Sequence, residues 1–199
     1  GAISFTSPTW SNGQASVKVN TSNAGYQIEY QKNSTSGRWT KIENGGTISG
    51  LKHNDNVYAR LTDGQNTGSY ASTTVKDTIA PNAPIVDFDG FVAATNGWYT
   101  SNVPVKITAG TDSQSGVNRT TYTISGSQIK GETTITSGGT ISITADGTST
   151  ITAYTYDNAG NKSGAKTLTV KKDASAPEVS ITTSNITSNS VTLTVTASD

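Results

Sequence analysis

The chain has 199 residues, a formal net charge of zero from 14 basic and 14 acidic side chains, and no cysteine. Because there is no basic surplus and no apolar run of about 18 residues, we expect no nucleic-acid partner and no membrane insertion. The lack of cysteine excludes disulfides and thiolate metal sites, and charged residues are only 14% of the chain, against about 25% in an average soluble protein.

Residues 1–78 are predicted to form a first module of seven short strands. In the clearest strands the apolar residues fall two apart, as Val17 and Val19 do. Alternation with a period of two is typical of antiparallel strands that bury one face. The strands are expected near Ile3–Thr6, Ala15–Thr21, Tyr26–Lys32, Trp39–Ile42, Gly46–Ser49, Val57–Thr62 and Ala71–Val75.

Residues 79–173 are predicted to form a second module with the same number of strands. The alternation recurs at Val105 and Ile107, and again at Leu168 and Val170. Threonine fills many outward positions, because it combines β-branching with a polar group. The strands are expected near Pro84–Phe88, Val103–Ala109, Asn118–Ser125, Glu132–Ile135, Thr140–Thr144, Ser149–Tyr156 and Ala165–Lys171.

A nearly identical string closes each module. "KDTIAP" spans Lys76–Pro81 and "KDASAP" spans Lys172–Pro177, a separation of 96 residues (172 − 76). Proline holds the residue before it in an extended conformation, so each string predicts a short, stiff joint. A repeat length of about 100 residues, built from period-two strands, predicts an all-β fold of tandem antiparallel β-sandwiches in an elongated arrangement.

Residues 174–199 are predicted to be the first strands of a truncated third repeat. The triplet T-S-N at 187–189 matches the triplet at 100–102, and an aspartate follows each asparagine by ten residues, at Asp199 and Asp112. Two strands without the rest of a sandwich leave open edges. We therefore expect this tail to pair with a strand edge of a neighbouring domain or chain.

Both modules resemble the immunoglobulin-like and fibronectin type III-like repeats of long Gram-positive surface and secreted proteins. The resemblance lies in "GWYTSNVPVKITAGTDSQSG" (Gly97–Gly116), "YTYDNAGNKSG" (Tyr154–Gly164) and "VYARLTDGQN" (Val57–Asn66). It implies a β-sandwich without a disulfide, a location at the bacterial cell surface or in the secreted fraction, and a place in an adhesive or enzymatic multidomain chain. It implies no catalytic residues.

The sequence offers no arrangement suited to catalysis. His53 is the only histidine, and no G-x-S-x-G turn provides a nucleophile for it. The glutamates, at 29, 43, 132 and 178, make no obvious pair of the kind that general acid–base catalysis needs. We therefore expect no enzymatic activity.

Aspartates near the first joint leave two interpretations open. Asp87 and Asp89 share a strand face just beyond that joint, and Asp112, Asp157 and the linker residue Asp77 lie at strand ends or in loops. Calcium takes six to eight oxygens from such loops. The favoured interpretation is turn geometry, since no EF-hand pattern is present. The alternative is a calcium ion that stiffens the joint, with Asp87, Asp89, Asp112 and Asp157 as its candidate ligands, and no other cofactor is expected.

Aromatic residues also permit two interpretations. Trp10 and Trp98 occupy matching repeat positions, which favours packing at the core or at a strand entry. Trp39 has no counterpart in the second module, so hairpin packing and a ligand platform both remain open for its group. The platform would consist of Trp39, Tyr26, Tyr30 and Tyr58.

These observations favour a structural role. The first hypothesis is that the modules are a spacer or stalk of a bacterial extracellular protein, which presents an adhesive or functional domain and contacts neighbouring domains of the same chain. The first alternative is an adhesion or ligand-binding module for a host protein or glycan. The second alternative is an accessory module of a secreted carbohydrate-active enzyme.

Overall fold

Eighteen strands and one 3-10 turn, Thr95–Gly97, make up the regular structure of residues 3–90 and 95–199, the part of the chain that this computed structural model describes. The strands are β1 (Ile3–Phe5), β2 (Thr9–Ser11), β3 (Gln14–Thr21), β4 (Gln27–Lys32), β5 (Thr40–Ile42), β6 (Thr47–Leu51), β7 (Asn56–Thr62), β8 (Ala71–Thr74), β9 (Ile85–Phe88), β10 (Trp98–Tyr99), β11 (Val103–Thr108), β12 (Val117–Gly126), β13 (Lys130–Ile135), β14 (Gly139–Ile143), β15 (Gly147–Asp157), β16 (Lys166–Lys172), β17 (Glu178–Ser184) and β18 (Thr192–Ser198).

Strands β1–β8 form two antiparallel sheets around one core. The first sheet has the order β1-β3-β2, with β6 also paired to β3, and the second has the order β5-β4-β7-β8. Val17 and Val19, at alternate positions of β3, are at most 1% exposed because they point between the sheets. Both sheets contribute to the buried cluster, which consists of Ala15, Val17, Val19, Ile28, Ile48, Leu51, Val57, Ala59 and Val75.

Strands β9–β16 repeat this design. One sheet has the order β14-β11-β9 and the other has the order β10-β16-β15-β12-β13, in which only the pairing of β10 with β16 is parallel. A second, separate core lies between them. It consists of Val86, Tyr99, Val103, Val105, Ile107, Tyr122, Ile124, Ile143, Ile151, Ala153 and Val170.

The predicted all-β sandwich class is confirmed, because each module consists of two mainly antiparallel sheets around its own core. The elongated arrangement of the modules remains a prediction. Every predicted strand of the two modules overlaps an observed one. Strands β2 and β10 were not predicted, since two or three residues show no periodicity. The module boundaries at residues 78 and 173 remain a prediction.

Trp10 and Trp98 occupy matching positions in the two repeats, but they do not pack in the same way. The prediction that both pack at the core or at a strand entry was therefore wrong for Trp98. Trp10 packs against the first core, from a strand that pairs with β3. Trp98 is 39% exposed and lies on β10, which pairs with β16 instead. Its neighbour Tyr99, at 3% exposure, is the residue that enters the second core, because neighbouring positions of a strand face opposite ways.

The tail forms a hairpin of its own. Strand β17 pairs with β18 in a regular antiparallel register, and every residue of both strands is exposed. Within the described part of the chain neither strand pairs with the second module, so the expected addition to a neighbouring sheet of this chain is not seen. Pairing with another chain stays a prediction.

The repeated K-D strings make the same two contacts in both modules. Each lysine reaches back to the turn before the second-to-last strand of its own module, so that Lys76 bonds to Asn54 before β7 and Lys172 bonds to Asp146 before β15. Each aspartate accepts a hydrogen bond at 3.0 Å from the backbone N–H two residues later, in Asp77 and in Asp173. The strings therefore fix how the chain leaves a module.

Candidate functional site

The linker between the modules, residues 76–84, is bonded to both of them, and we call this contact region the joint. On the first module, the Asp77 backbone N–H donates to His53 Nδ1 at 3.0 Å. On the second module, Asn82 donates from its backbone N to the Thr111 carbonyl at 2.9 Å and from its amide to Thr111 Oγ1 at 2.7 Å. The linker is therefore anchored to the first module at Asp77 and to the second module at Asn82.

Gly110 allows the linker to lie close against the second module. A Cβ at this position would lie 1.9 Å from the Asn82 carbonyl oxygen, which is shorter than any real contact. The Gly110 N–H donates to Thr155 Oγ1 at 2.9 Å, so Gly110 is also bonded to β15. No larger residue fits here without moving the linker.

Direct contacts also join the two modules. The Gly13 N–H of the first module donates to the Ser113 carbonyl of the second at 3.3 Å. The Ser115 N–H donates to Asp77 Oδ2 at 3.1 Å. The Asn161 amide donates to the carbonyls of Asp77 and Ile79 at 3.3 and 3.4 Å. Loops of the second module therefore contact both the linker and the turn at Gly13 of the first module.

Three carboxylates meet at the joint. Asp77 comes from the linker, Asp112 from the loop between β11 and β12, and Asp157 from the end of β15. One oxygen from each lies within 4.8 Å of the other two, and Asp77 and Asp157 are only 3% and 1% exposed. Residues far apart in the sequence are brought together because both loops of the second module face the linker.

Local backbone bonds orient each carboxylate. Asp157 accepts from the Asn161 backbone N at 2.8 Å and from its amide at 2.7 Å. Asp112 Oδ2 accepts from the Gly116 N–H at 2.5 Å. Since these bonds belong to turns, aspartate at each position has a geometric role as well as a charge.

The three carboxylates of this cluster have no direct ion-pair partner among the described residues. No lysine, arginine or histidine lies within ion-pair distance of the three carboxylates in the part of the chain that is described. Two like charges about 4.8 Å apart repel by roughly 3.5 kcal/mol at an effective dielectric constant of about 20. Oxygen ligands of this kind hold hard cations such as calcium.

Two oxygens at the joint are buried and accept no hydrogen bond. Asp112 Oδ1 exposes less than 1 Å² and has no donor, and the same holds for Ser115 Oγ. Buried polar atoms are nearly always paired, so an orphan carboxylate oxygen beside two other carboxylates needs an explanation.

The cluster contains two of the four predicted calcium candidates. Asp112 and Asp157 belong to it, whereas Asp87 is exposed on β9 opposite Lys106, and exposed Asp89 accepts from Thr140 Oγ1 at 2.9 Å. Asp77 was noted as a linker aspartate but was not among the candidates. Its signal was the recurrence of K-D-x-x-A-P, which marks the residue as part of a joint.

His53 has a structural contact at the joint. Its Nδ1 accepts from the Asp77 backbone, and no serine or threonine hydroxyl bonds to it among the described residues. An open polar cleft beside it is lined by Gly13, Lys52, Asn54, Ser115 and Asn158. This arrangement contains no nucleophile–base pair.

The aromatic candidates are split between two faces of one sheet. On the outer face of β5-β4-β7-β8, the Arg60 guanidinium lies 4.1 Å from the Trp39 ring centre and pairs with Glu29 at 2.6 Å. Tyr58, two residues from Arg60, meets Tyr70 edge to face at 5.4 Å.

The predicted platform of four aromatic residues is therefore corrected. Tyr30 packs partly against the first core, whereas Trp39 and Tyr58 lie on the outer face of the sheet. Tyr26 lies just before β4 and is 53% exposed. The outer face carries Trp39, Tyr58 and Tyr70 instead.

No helix in residues 3–90 or 95–199 has both the length and the apolar character required to span a bilayer.

Solved structures similar to this chain include the two described next, and no family model and no curated protein matches it. Fibronectin(III)-like modules of CbhA from Clostridium thermocellum are 16% identical, with a TM-score of 0.35, over 85% of this chain and 94% of that chain. The FN1–FN3 domains of chicken CNTN1 are 10% identical, with a TM-score of 0.31, over 98% of this chain and 76% of that chain. Both TM-scores are below 0.5, so the assignment to all-β sandwiches rests on the strand pairing and the two cores.

Proposed function

We propose that this chain is a pair of non-catalytic β-sandwich modules that spaces and presents an adhesive or other functional domain of an extracellular bacterial protein. The proposal takes the location from the resemblance of the repeats to Gram-positive surface and secreted proteins. It takes the role from the joint, since a spacer transmits position only when its modules hold one orientation.

The observation that carries the proposal is that Asp77 contacts both modules at once. Its backbone N–H is held by His53 of the first module, its carboxylate accepts from Ser115 of the second, and its carbonyl accepts from Asn161. Each hydrogen bond contributes about 1 kcal/mol, so the set is strong enough to suppress independent motion of the modules.

The test is the rotational diffusion of the two modules by ¹⁵N relaxation. We expect equal correlation times for both modules in the wild-type protein, because they tumble as one body. Asn161→Ala removes the amide that reaches the Asp77 and Ile79 carbonyls. We expect this variant to have shorter and unequal correlation times.

Asn66→Ala is the matched control. Asn66 bonds Asp63 in the first module as Asn161 bonds Asp157 in the second, through both its backbone N and its amide. Among the described residues its hydrogen bonds all stay within the first module, so its removal should leave the common correlation time unchanged. Independent tumbling of the wild-type modules would reject the proposal.

A second candidate function is ligand binding by the outer face of the first module. Gln31 on that sheet is 8% exposed, its Oε1 is buried without a donor, and an open groove beside it is lined by Lys32, Ser36 and Arg38. A glycan array supports this candidate if binding is lost in Trp39→Ala and kept in Trp98→Ala. No binding by the wild-type protein would remove it.

A further inference from the structure

We propose that a groove beside Gln31 binds a sugar that carries a carboxylate, as one unit of an acidic glycan. This groove, which we call the β4–β5 groove, lies along the hairpin of β4 and β5 in the first module. The inference rests on the second candidate function and gives it a ligand class. The groove is lined by Tyr30, Gln31, Lys32, Ser36, Arg38 and Thr40.

The independent sign of a ligand is the side-chain amide of Gln31. The residue is only 8% exposed, and its Oε1 is buried without a hydrogen-bond donor. Its Nε2 lies under the loop that follows β4, since a Cβ on Gly37 would lie 4.0 Å from it. Buried polar atoms are nearly always paired, so this amide lacks a partner that a molecule in the groove can supply.

The amide of Gln31 suits a hydroxyl group. Rotation of the terminal amide by about 180° exchanges its oxygen and its nitrogen without moving the rest of the side chain. The groove can therefore be offered either an acceptor or a donor. A hydroxyl group serves both, because it donates one hydrogen bond and accepts two.

The charge of the β4–β5 groove favours an anion. Neither Lys32 nor Arg38 makes an ion pair within the described residues. Lys32 Nζ donates to the Ser49 carbonyl at 2.5 Å, a bond that positions the ammonium without neutralising it. No acidic side chain is among the described residues that line the groove. Two positive charges are thus left for a ligand to neutralise.

The loop that forms one wall of the groove is held in place by its own hydrogen bonds. At its base the Asn33 N–H donates to the Asn56 carbonyl at 2.8 Å, and Asn33 Oδ1 accepts from the Asn56 N–H at 2.7 Å. Nearer the tip, the Ser36 N–H donates to Ser34 Oγ at 3.1 Å. A wall that is already ordered lowers the entropic cost of binding.

The size of the groove fits one unit of a longer glycan. Its volume of about 330 Å³ lies at the small end of the range of about 300–1,000 Å³ found for ligand sites. Because the groove is open along the hairpin, the rest of the glycan can extend into solvent.

A carboxylated sugar matches the lining groups better than the alternatives do. Arg38 has the planar fork of donors that pairs with a carboxylate, and Lys32 adds a second positive charge. The hydroxyls of the same sugar suit Gln31, and half-buried Tyr30 offers its ring as an apolar surface. An acidic peptide brings the carboxylate without the neighbouring hydroxyls, and a neutral glycan brings the hydroxyls without the charge.

The test is an NMR titration of the whole chain with probes of equal length. The probes are an oligomer of four galacturonic acid units, the corresponding galactose oligomer, and tetraglutamate. We expect the galacturonic acid oligomer to shift the amides of residues 30–40 and to bind about 10–100-fold more tightly than the galactose oligomer. It should bind at least about fivefold more tightly than tetraglutamate, because one hydrogen bond to Gln31 contributes about 1 kcal/mol.

A sialylated trisaccharide distinguishes the two common sources of a carboxylated sugar. Binding of either acidic sugar supports the inference, and the tighter one identifies the source. Binding should weaken as the salt concentration rises, since the charges of Lys32 and Arg38 are exposed to screening.

Arg38→Ala tests the charge of the groove. We expect it to weaken binding of the acidic sugar about 10–100-fold, because a charge-assisted pair is lost. Lys41→Ala is the matched control. It removes the same charge from the same hairpin, at an exposed position of β5 outside the groove, and should weaken binding by less than about twofold.

Gln31→Met separates a binding role from a structural one. Methionine removes the amide and keeps a flexible side chain of similar length. We expect binding to weaken at least about fivefold while the melting temperature stays equal or rises, because a buried unpaired acceptor is gone. A merely structural Gln31 would show the opposite result, a lower melting temperature and unchanged binding.

Four results would overturn the inference: no binding of either acidic sugar by the wild-type chain, equal binding of the galactose oligomer, equal binding of tetraglutamate, or full binding by Arg38→Ala. The glycan array separates this failure from failure of the second candidate function. Glycan binding that is lost in Trp39→Ala and kept in Arg38→Ala rejects the groove and leaves the outer face as the ligand site. The tumbling of the modules tests the spacer function independently of either.

Discussion

An aspartate at the joint makes a local turn bond and also a contact that depends on tertiary packing. Only the turn bond could be predicted from the sequence. Asp157 was predicted as a turn residue or a calcium ligand, and the structure gives it a turn bond to Asn161 and a place in the cluster. Asp87 and Asp89 looked equally suitable because they are close to the joint in sequence. The structure does not place them in the cluster. Residues 77, 112 and 157 come together only through tertiary packing, which no local sequence pattern predicts.

Gly110 gives the first prediction at this scale. Gly110→Ala places a Cβ 1.9 Å from the Asn82 carbonyl oxygen, so the linker must move away from the second module. We expect a loss of about 1–3 kcal/mol in the free energy of unfolding, measured with urea. Gly131→Ala is the control, because nothing lies within 4 Å of its Cβ. Equal stability of both variants would show that the linker is not held at Gly110.

The bond between Asp146 and Lys172 predicts that the stability of the second module depends on pH. The hydrogen bond from Lys172 holds the pKa of the Asp146 carboxyl below its ordinary value of 3.8. A carboxyl with a lowered pKa stabilises the folded state above its unfolded pKa, and this contribution disappears as the pH falls through the folded value. Asp146 is 43% exposed, so solvent weakens the effect.

Asp146→Asn should therefore cost stability near pH 6 and cost progressively less below about pH 4. The free energy of unfolding of the second module, measured against pH for both proteins, tests this. The first module provides an internal comparison, because Asn54 takes the position of Asp146 opposite Lys76. A cost that does not vary with pH would show that the charge of Asp146 makes no contribution.

At the scale of elements, the period of two predicted the sandwich strands and also shows where prediction stopped. Strand β15 alternates from buried Ser149 to buried Asp157 without a break, so its pattern was plain. Strand β10 has two residues, Trp98 and Tyr99, and its parallel pairing with β16 depends on residues about 73 positions away (171 − 98). Such a short strand forms because its neighbour offers an edge, which the sequence of β10 does not encode.

The tail hairpin is the element with the least support. Its residues Val179, Ile181, Leu193 and Val195 share one face and are each at least 60% exposed. A single two-stranded hairpin is marginally stable in water. We expect its backbone amides to exchange with deuterium far faster than those of β11 and β15.

Removal of residues 177–199 tests whether the hairpin supports the second module, and it keeps the bonds of Ala174 and Ser175 to Asp146. Because both strands are exposed, we expect the melting temperature of the second module to change by less than about 2 °C. The same truncation should lower the tendency of the chain to associate at high concentration, measured by light scattering, since the apolar face is gone. A large loss of stability would show that the tail packs on the module.

At the scale of the whole molecule, the proposed stalk requires the two modules to act as one body. The repeated K-D string supports this proposal. Its lysine holds the end of one module through Lys76 and Asn54, and its aspartate reaches forward to Ser115 of the next. A chain built this way sets a direction as well as a distance, which is the property that a stalk requires.

The distance distribution between the modules tests this claim most directly. The chain has no cysteine, so nitroxide labels can be attached at Lys41→Cys and Lys130→Cys alone, two exposed positions on β5 and β13. Double electron–electron resonance should give a single distribution as narrow as that of a control pair within one module, Lys130→Cys with Lys166→Cys. A broad or bimodal distribution between the modules, beside a narrow control, would contradict the account.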